Sequence, residues 1–325
     1  MIDRGVNCFR VNLSHGNQEN KKSYFDLIKS VTGLSKESRP SILADLAGPK
    51  VRVRKLDNPI VLEKGQTIVI SSGERTEGVV PISKNLVFKN VDPESRIMIN
   101  DGKICLKVIN QLSEHSFECE TIIPGKIKNK KGVNFLDIEL DVPSLTSQDE
   151  NDLKLALENG ADWVALSFTR SKEDYSLVKS KMKKLGYDVP IIAKIEKWEA
   201  IENLDSIITA FDGVMVARGD LGVEIPLERV PVIQKEIIRK ARLFGKPAII
   251  ATQMLDSMIK EPVPTRAEVS DIANSILDGT DSLLVTGETA IGDYPEEVIS
   301  VLSKVIEQTE KSISYNDKIT DNDKI

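Results

Sequence analysis

From residue 147 onward the chain repeats one pattern: a short apolar run, then an amphipathic stretch long enough for a few helical turns. The runs WVALSF, PIIAKIE, GVMVAR, PAIIATQML and SLLVTGE follow one another in this way. Each is too short for a buried helix and is followed by apolar residues at helical spacing, so each reads as the strand of a βα unit. Two further strands, CFRVNL and SILADL, come earlier, separated by the helical stretch NQENKKSYFDLIKSVTGL. Seven parallel strands with intervening helices predict an α/β fold of the (β/α)8 TIM-barrel type, with the first strand apparently missing. Between residues 51 and 143 the rhythm changes to alternating, β-branched segments with turn signals, such as PIVLEKGQTIVISSG and RIMINDGKICLKVI. That stretch predicts an inserted small all-β barrel domain. The expected organisation is barrel over 1–50, β insertion over 51–143, barrel again over 144–315, and a polar tail over 316–325.

Composition narrows the function classes. With 325 residues, 40% of them hydrophobic, the chain can bury a large core, and a net charge of −6 with 5% aromatics disfavours a nucleic-acid surface. No apolar run approaches the roughly 18 residues of a membrane span, and the amino terminus lacks the basic and apolar regions of a signal peptide. A cytoplasmic location is expected. The three cysteines, Cys8, Cys105 and Cys119, are scattered without a CxxC pair and read as packing residues.

In a parallel barrel the carboxyl ends of the strands carry the site, and residues two apart on a strand share a face. Lys194 and Glu196 in IIAKIE therefore fall together at that rim, and Asp220 in ARGDLG follows the next strand. Two carboxylates from neighbouring strand ends are a suitable protein share of a Mg²⁺ shell. Arg10, Asn12 and Ser14 in RVNLS are spaced to share one face, while Thr252 in ATQM and Glu288 in TGETA extend the polar rim. The competing readings are a structural ion pair for Lys194 and Glu196, and a helix cap for Asp220.

The motifs FRVNLSHG, DLAGPKVR, AKIE, VARGDLGVE, ATQML and TGETA, in this order with a β insertion after the second, resemble the pyruvate kinase family over about residues 1–313. The resemblance implies Mg²⁺-dependent (or Mn²⁺-dependent) phosphoryl transfer from phosphoenolpyruvate to ADP, giving pyruvate and ATP. It implies Glu196 and Asp220 as metal ligands, Lys194, Arg10 and Thr252 as catalytic, and Gly219 and Asp220 amides holding the substrate carboxylate. Asn12, His15, Arg52 and Lys131 would meet the nucleotide, and the β insertion would act as a lid. The family's monovalent-cation site corresponds to Asn12, Ser14, Asp45 and Leu46. Leucine offers no side-chain oxygen, and members that work without K⁺ resemble this chain in pairing that leucine with a lysine, here Lys50. K⁺ is therefore expected to be dispensable. The resemblance also implies further copies of the chain as possible partners. It places the family's first barrel strand and carboxy-terminal domain outside this sequence. Two alternatives stand beside this one: a truncated homologue that binds ligand or a partner with little turnover, and a Mg²⁺-dependent lyase or aldolase of pyruvate-like enolates.

Overall fold

The computed structural model describes residues 1–32, 39–73, 78–83, 86–88, 91–136, 138, 140 and 142–313. The expected polar tail at 316–325 lies outside the described residues. Contacts divide the chain into two compact units: Met1–Ala47, Ser147–Arg218 and Glu228–Ile325 in one, Gly48–Thr146 and Gly219–Leu227 in the other.

The first unit is built on a seven-stranded parallel sheet: β1 (Cys8–Asn12), β2 (Ser41–Asp45), β11 (Trp163–Leu166), β12 (Ile191–Ile195), β13 (Gly213–Ala217), β14 (Ala248–Ala251) and β15 (Ser282–Leu284). All seven coincide with apolar runs read from the sequence, and they are hydrogen-bonded in chain order, which is the topology of an α/β barrel of the TIM type. The central strands β12 and β13 are buried at every position, as strands covered on both faces must be. One face carries an apolar layer of Leu43, Ala165, Ile192, Met215 and Ala251.

Short-range chemistry fixes where these elements begin. Asn17 accepts the Asn20 N–H at 2.8 Å and so starts the helix Gln18–Thr32. Ser171 with Asp174, and Thr265 with Glu268, form capping boxes at the helices Lys172–Lys184 and Arg266–Leu277. The helix Val230–Leu243 stops where Gly245 turns left-handed at φ 64°. At the amino ends of the strands one device recurs. Asp162, Asp212 and Asp281 each precede a strand, and each accepts an N–H at the start of the neighbouring one, from Ile42, Ile191 and Ala248, at 2.8 Å. These carboxylates satisfy amides that the parallel ladder leaves over.

The second unit is all-β. A six-stranded sheet runs β10 (Val133–Leu136), β6 (Arg96–Ile99), β7 (Ile104–Ser113), β8 (Ser116–Ile123), β4 (Thr67–Ser71) and β5 (Val79–Pro81), beside a two-stranded pair of β3 (Ile60–Leu62) and β9 (Gly125–Ile127). Phe88, Phe117 and Phe135 fill its centre, with the first two rings edge to face at 4.5 Å.

Candidate active site

The polar residues of the first unit follow from its apolar layer by the two-residue period of a strand. Cys8, Leu43, Ala165 and Ile192 belong to that layer or pack on it. Two residues further on stand Arg10, Asp45, Ser167 and Lys194, so the same face turns from apolar to polar at the carboxyl end.

These side chains form one network. The Lys194 ammonium meets Glu196 Oε1 at 2.9 Å and Asp45 Oδ1 at 3.2 Å, and donates to Ser167 Oγ at 2.7 Å. Arg10 Nε donates to Asp45 Oδ2 at 2.6 Å. Ser167 in turn donates to the Leu46 carbonyl at 2.7 Å. Glu196 Oε2 accepts the Phe168 N–H at 2.9 Å. Asp45 and Glu196 are each 1% exposed and Lys194 8%. Burial pushes the Asp45 carboxyl up, but the Lys194 ammonium and the Arg10 guanidinium outweigh it and hold it below the ordinary value. Burial likewise opposes the charge on Lys194, yet Asp45 and Glu196 raise its pKa above that of a free lysine. Asp45 and Lys194 are thus both held charged. Buried charge at this rim is compensated internally and does not by itself demand a ligand.

Thr252 follows β14 directly, half-buried, and with Gln253 adopts left-handed backbone at φ 71° and 55°. The buried Glu288 accepts the N–H groups of Met254 and Leu255, each at 3.2 Å, and of Thr286 at 2.7 Å. Two readings change at this point. Ser14 does not continue the face of Arg10 and Asn12: β1 ends at Asn12, the chain turns, and the exposed Ser14 donates its N–H to Asn12 Oδ1 at 3.1 Å. His15 is exposed in the same turn, and Leu46 is fully buried with its N–H on the Ala165 carbonyl at 3.0 Å. Asp220 is not on a strand end, because β13 stops at Ala217 and the helix Arg218–Glu224 begins at once. Gly219 and Asp220 lie in its first turn.

Within the second unit, Lys50 Nζ reaches Asp220 Oδ1 at 2.6 Å. Arg52 Nη1 donates to the Lys130 carbonyl at 3.1 Å, and the half-buried Lys131 accepts the Val53 N–H at 2.8 Å through its carbonyl. Among the described residues, no group of three or more His, Cys, Asp and Glu side chains is arranged to hold a metal ion. Sequence reasoning missed Ser167, although the spacing that paired Lys194 with Glu196 applies equally to Ala165 and Ser167.

A TIM-type barrel with an inserted β unit and charged groups at its strand ends defines a class of α/β barrel proteins whose chemistry sits at that rim. The barrel-domain pattern of pyruvate kinase matches residues 1–299, and the chain belongs to the pyruvate kinase family. It is similar to the pyruvate kinase of Thermotoga maritima, 44% identical over 97% of this chain and 68% of that protein. Pyruvate kinase 2 of Synechocystis is 42% identical, over 96% of this chain and 54% of that protein. The crystal structure of a pyruvate kinase from Cryptosporidium parvum superposes with a TM-score of 0.91 at 35% identity, over 97% of this chain and 66% of that one. The chain thus spans between half and about two thirds of the length of these relatives.

Proposed function

We propose that the chain catalyses phosphoryl transfer from phosphoenolpyruvate to ADP, with Mg²⁺, through the strand-end network around Lys194. The observation that carries this reading is the buried Lys194, set among Asp45, Ser167 and Glu196 at the barrel rim of a pyruvate kinase relative. Phosphoryl transfer is accelerated mainly by positioning and by charge held ready where negative charge moves. Lys194 supplies that charge to the phosphoryl oxygens and the enolate, and Arg10, fixed by Asp45, orients the substrate. Thr252 faces the enolate carbon that takes up a proton, and the Gly219 and Asp220 amides hold the carboxylate. Asn12, His15, Arg52 and Lys131 meet the nucleotide. Glu196 and Asp220 are oxygen donors only, a donor chemistry that suits Mg²⁺ or Mn²⁺. Such an ion, when bound, neutralises charge on the phosphoryl oxygens.

K⁺ is dispensable in this reading. Two of the side chains that would ligate it have their oxygens engaged, Asp45 by Arg10 and Lys194 and Asn12 Oδ1 by the Ser14 N–H, and Leu46 brings no side-chain oxygen. Lys50 carries a compact positive charge beside Asp220 and stands in for the ion. A cytoplasmic location and assembly with further copies accord with the reading. Among the described residues no helix is long and apolar enough to cross a membrane.

A lactate dehydrogenase coupled assay with phosphoenolpyruvate, ADP and Mg²⁺ tests the function, and turnover is expected. Substrate binding without turnover would leave a ligand-binding homologue instead. Under the same conditions Glu196→Gln and Asp220→Asn are expected to raise the Mg²⁺ concentration for half-maximal rate at least tenfold. Unchanged Mg²⁺ titrations in both variants would remove them as ligands.

A further inference from the structure

The turn that follows β14 carries two neighbouring residues in the left-handed region. Thr252 and Gln253 are consecutive non-glycine residues at φ 71° and 55°. A β-branched residue such as Thr252 is a true outlier in this region, and two successive non-glycine residues persist there only if their surroundings impose them. Arg218, the residue after β13, surrounds this turn with its guanidinium. Its Nε and Nη2 both donate to the Thr252 carbonyl, at 3.2 and 2.7 Å, and Nη2 also donates to the Gln253 carbonyl at 2.9 Å. Its Nη1 is anchored on Asp271 Oδ2 at 2.6 Å, in the helix Arg266–Leu277. The other side of the turn is held by Glu288 through the Met254 and Leu255 amides.

We infer that Arg218 is a positioning residue: its guanidinium holds the left-handed Thr252–Gln253 turn and so fixes where the Thr252 side chain stands. The inference rests on the role proposed for Thr252. The geometry calls for arginine specifically. A planar fork can serve two successive carbonyls and a carboxylate at once, whereas an ammonium is a point donor. Carbonyls gathered on one cation make the strained conformation the favoured one.

Two measurements test this. In steady-state kinetics, Arg218→Met is expected to lower kcat at least tenfold with the phosphoenolpyruvate KM changed no more than about twofold, and Arg218→Lys is expected to recover part of the loss. In the Thr252→Ala background, Arg218→Met should add no more than about twofold. An equal loss in both backgrounds would overturn the positioning role. If Thr252→Ala alone leaves kcat unchanged, the proposed role of Thr252 fails instead. The second measurement does not depend on turnover: in Arg218→Met, amides of residues 252–255 should exchange with solvent at least tenfold faster, while β12 keeps its protection. Unchanged exchange in the turn, or a uniform change that includes β12, would overturn the inference.

Discussion

Asp45 shows how the site is stabilised residue by residue. Its two oxygens accept from Arg10, Ser167 and Lys194, and the two cations keep it ionised despite full burial. Since its folded pKa lies below the 3.8 of an ordinary aspartate, its contribution is fully present above that pH and is lost as pH falls through the lower folded value. The wild type is therefore expected to lose more stability than Asp45→Asn between pH 6 and pH 3, read from denaturant midpoints at each pH; equal losses would show that Asp45 carries no such linkage. Lys194 and Glu196 were legible in the sequence because charge in an apolar run is conspicuous. Ser167 was not, since a serine at the end of a strand carries no such signal. Its role depends on the pairing of β11 with β12, which sets Leu166 opposite Ala193 and brings Ser167 to Lys194.

At the scale of elements, the two ends of the parallel sheet have different duties. The amino ends carry the aspartates that close neighbouring strands, while the carboxyl ends carry the charged network. Loss of an acceptor for a buried amide costs about 1–3 kcal/mol. Asp281→Ala is expected to lower the unfolding free energy by about that amount and to leave kcat within about twofold of wild type, because Asp281 caps Ala248 far along β14 from Thr252. A kcat loss of tenfold or more at a temperature where the variant is folded would contradict this division. Apolar run lengths made all seven strands readable, and the change to alternating segments made the β insertion readable. The left-handed turns at Phe168 and Thr252 were hidden, because neither residue type favours that backbone. Glu196 and Arg218 impose it from other strand ends, through contacts that exist only after folding. Asp220 was misplaced for a related reason: nothing local distinguishes the end of β13 from the short helix that follows.

Across the whole molecule, the proposed phosphoryl transfer would draw the positive charge it requires from side chains of the protein itself. The rate is accordingly expected to persist in buffers free of K⁺ and NH₄⁺, and Lys50→Glu to lower it. A tenfold or greater stimulation of the wild type by K⁺ would show that Lys50 does not replace the ion. The central claim concerns Lys194, and it is tested most directly by kcat and KM for phosphoenolpyruvate in Lys194→Met and the wild type, at a temperature low enough that both are folded. That precaution matters because removing one partner of a buried ion pair costs about 3–5 kcal/mol of stability. Loss of a charge used only in the transition state is expected to lower kcat by about 10²–10³-fold while KM stays within a few-fold. A folded Lys194→Met variant with the kcat of the wild type would contradict the account.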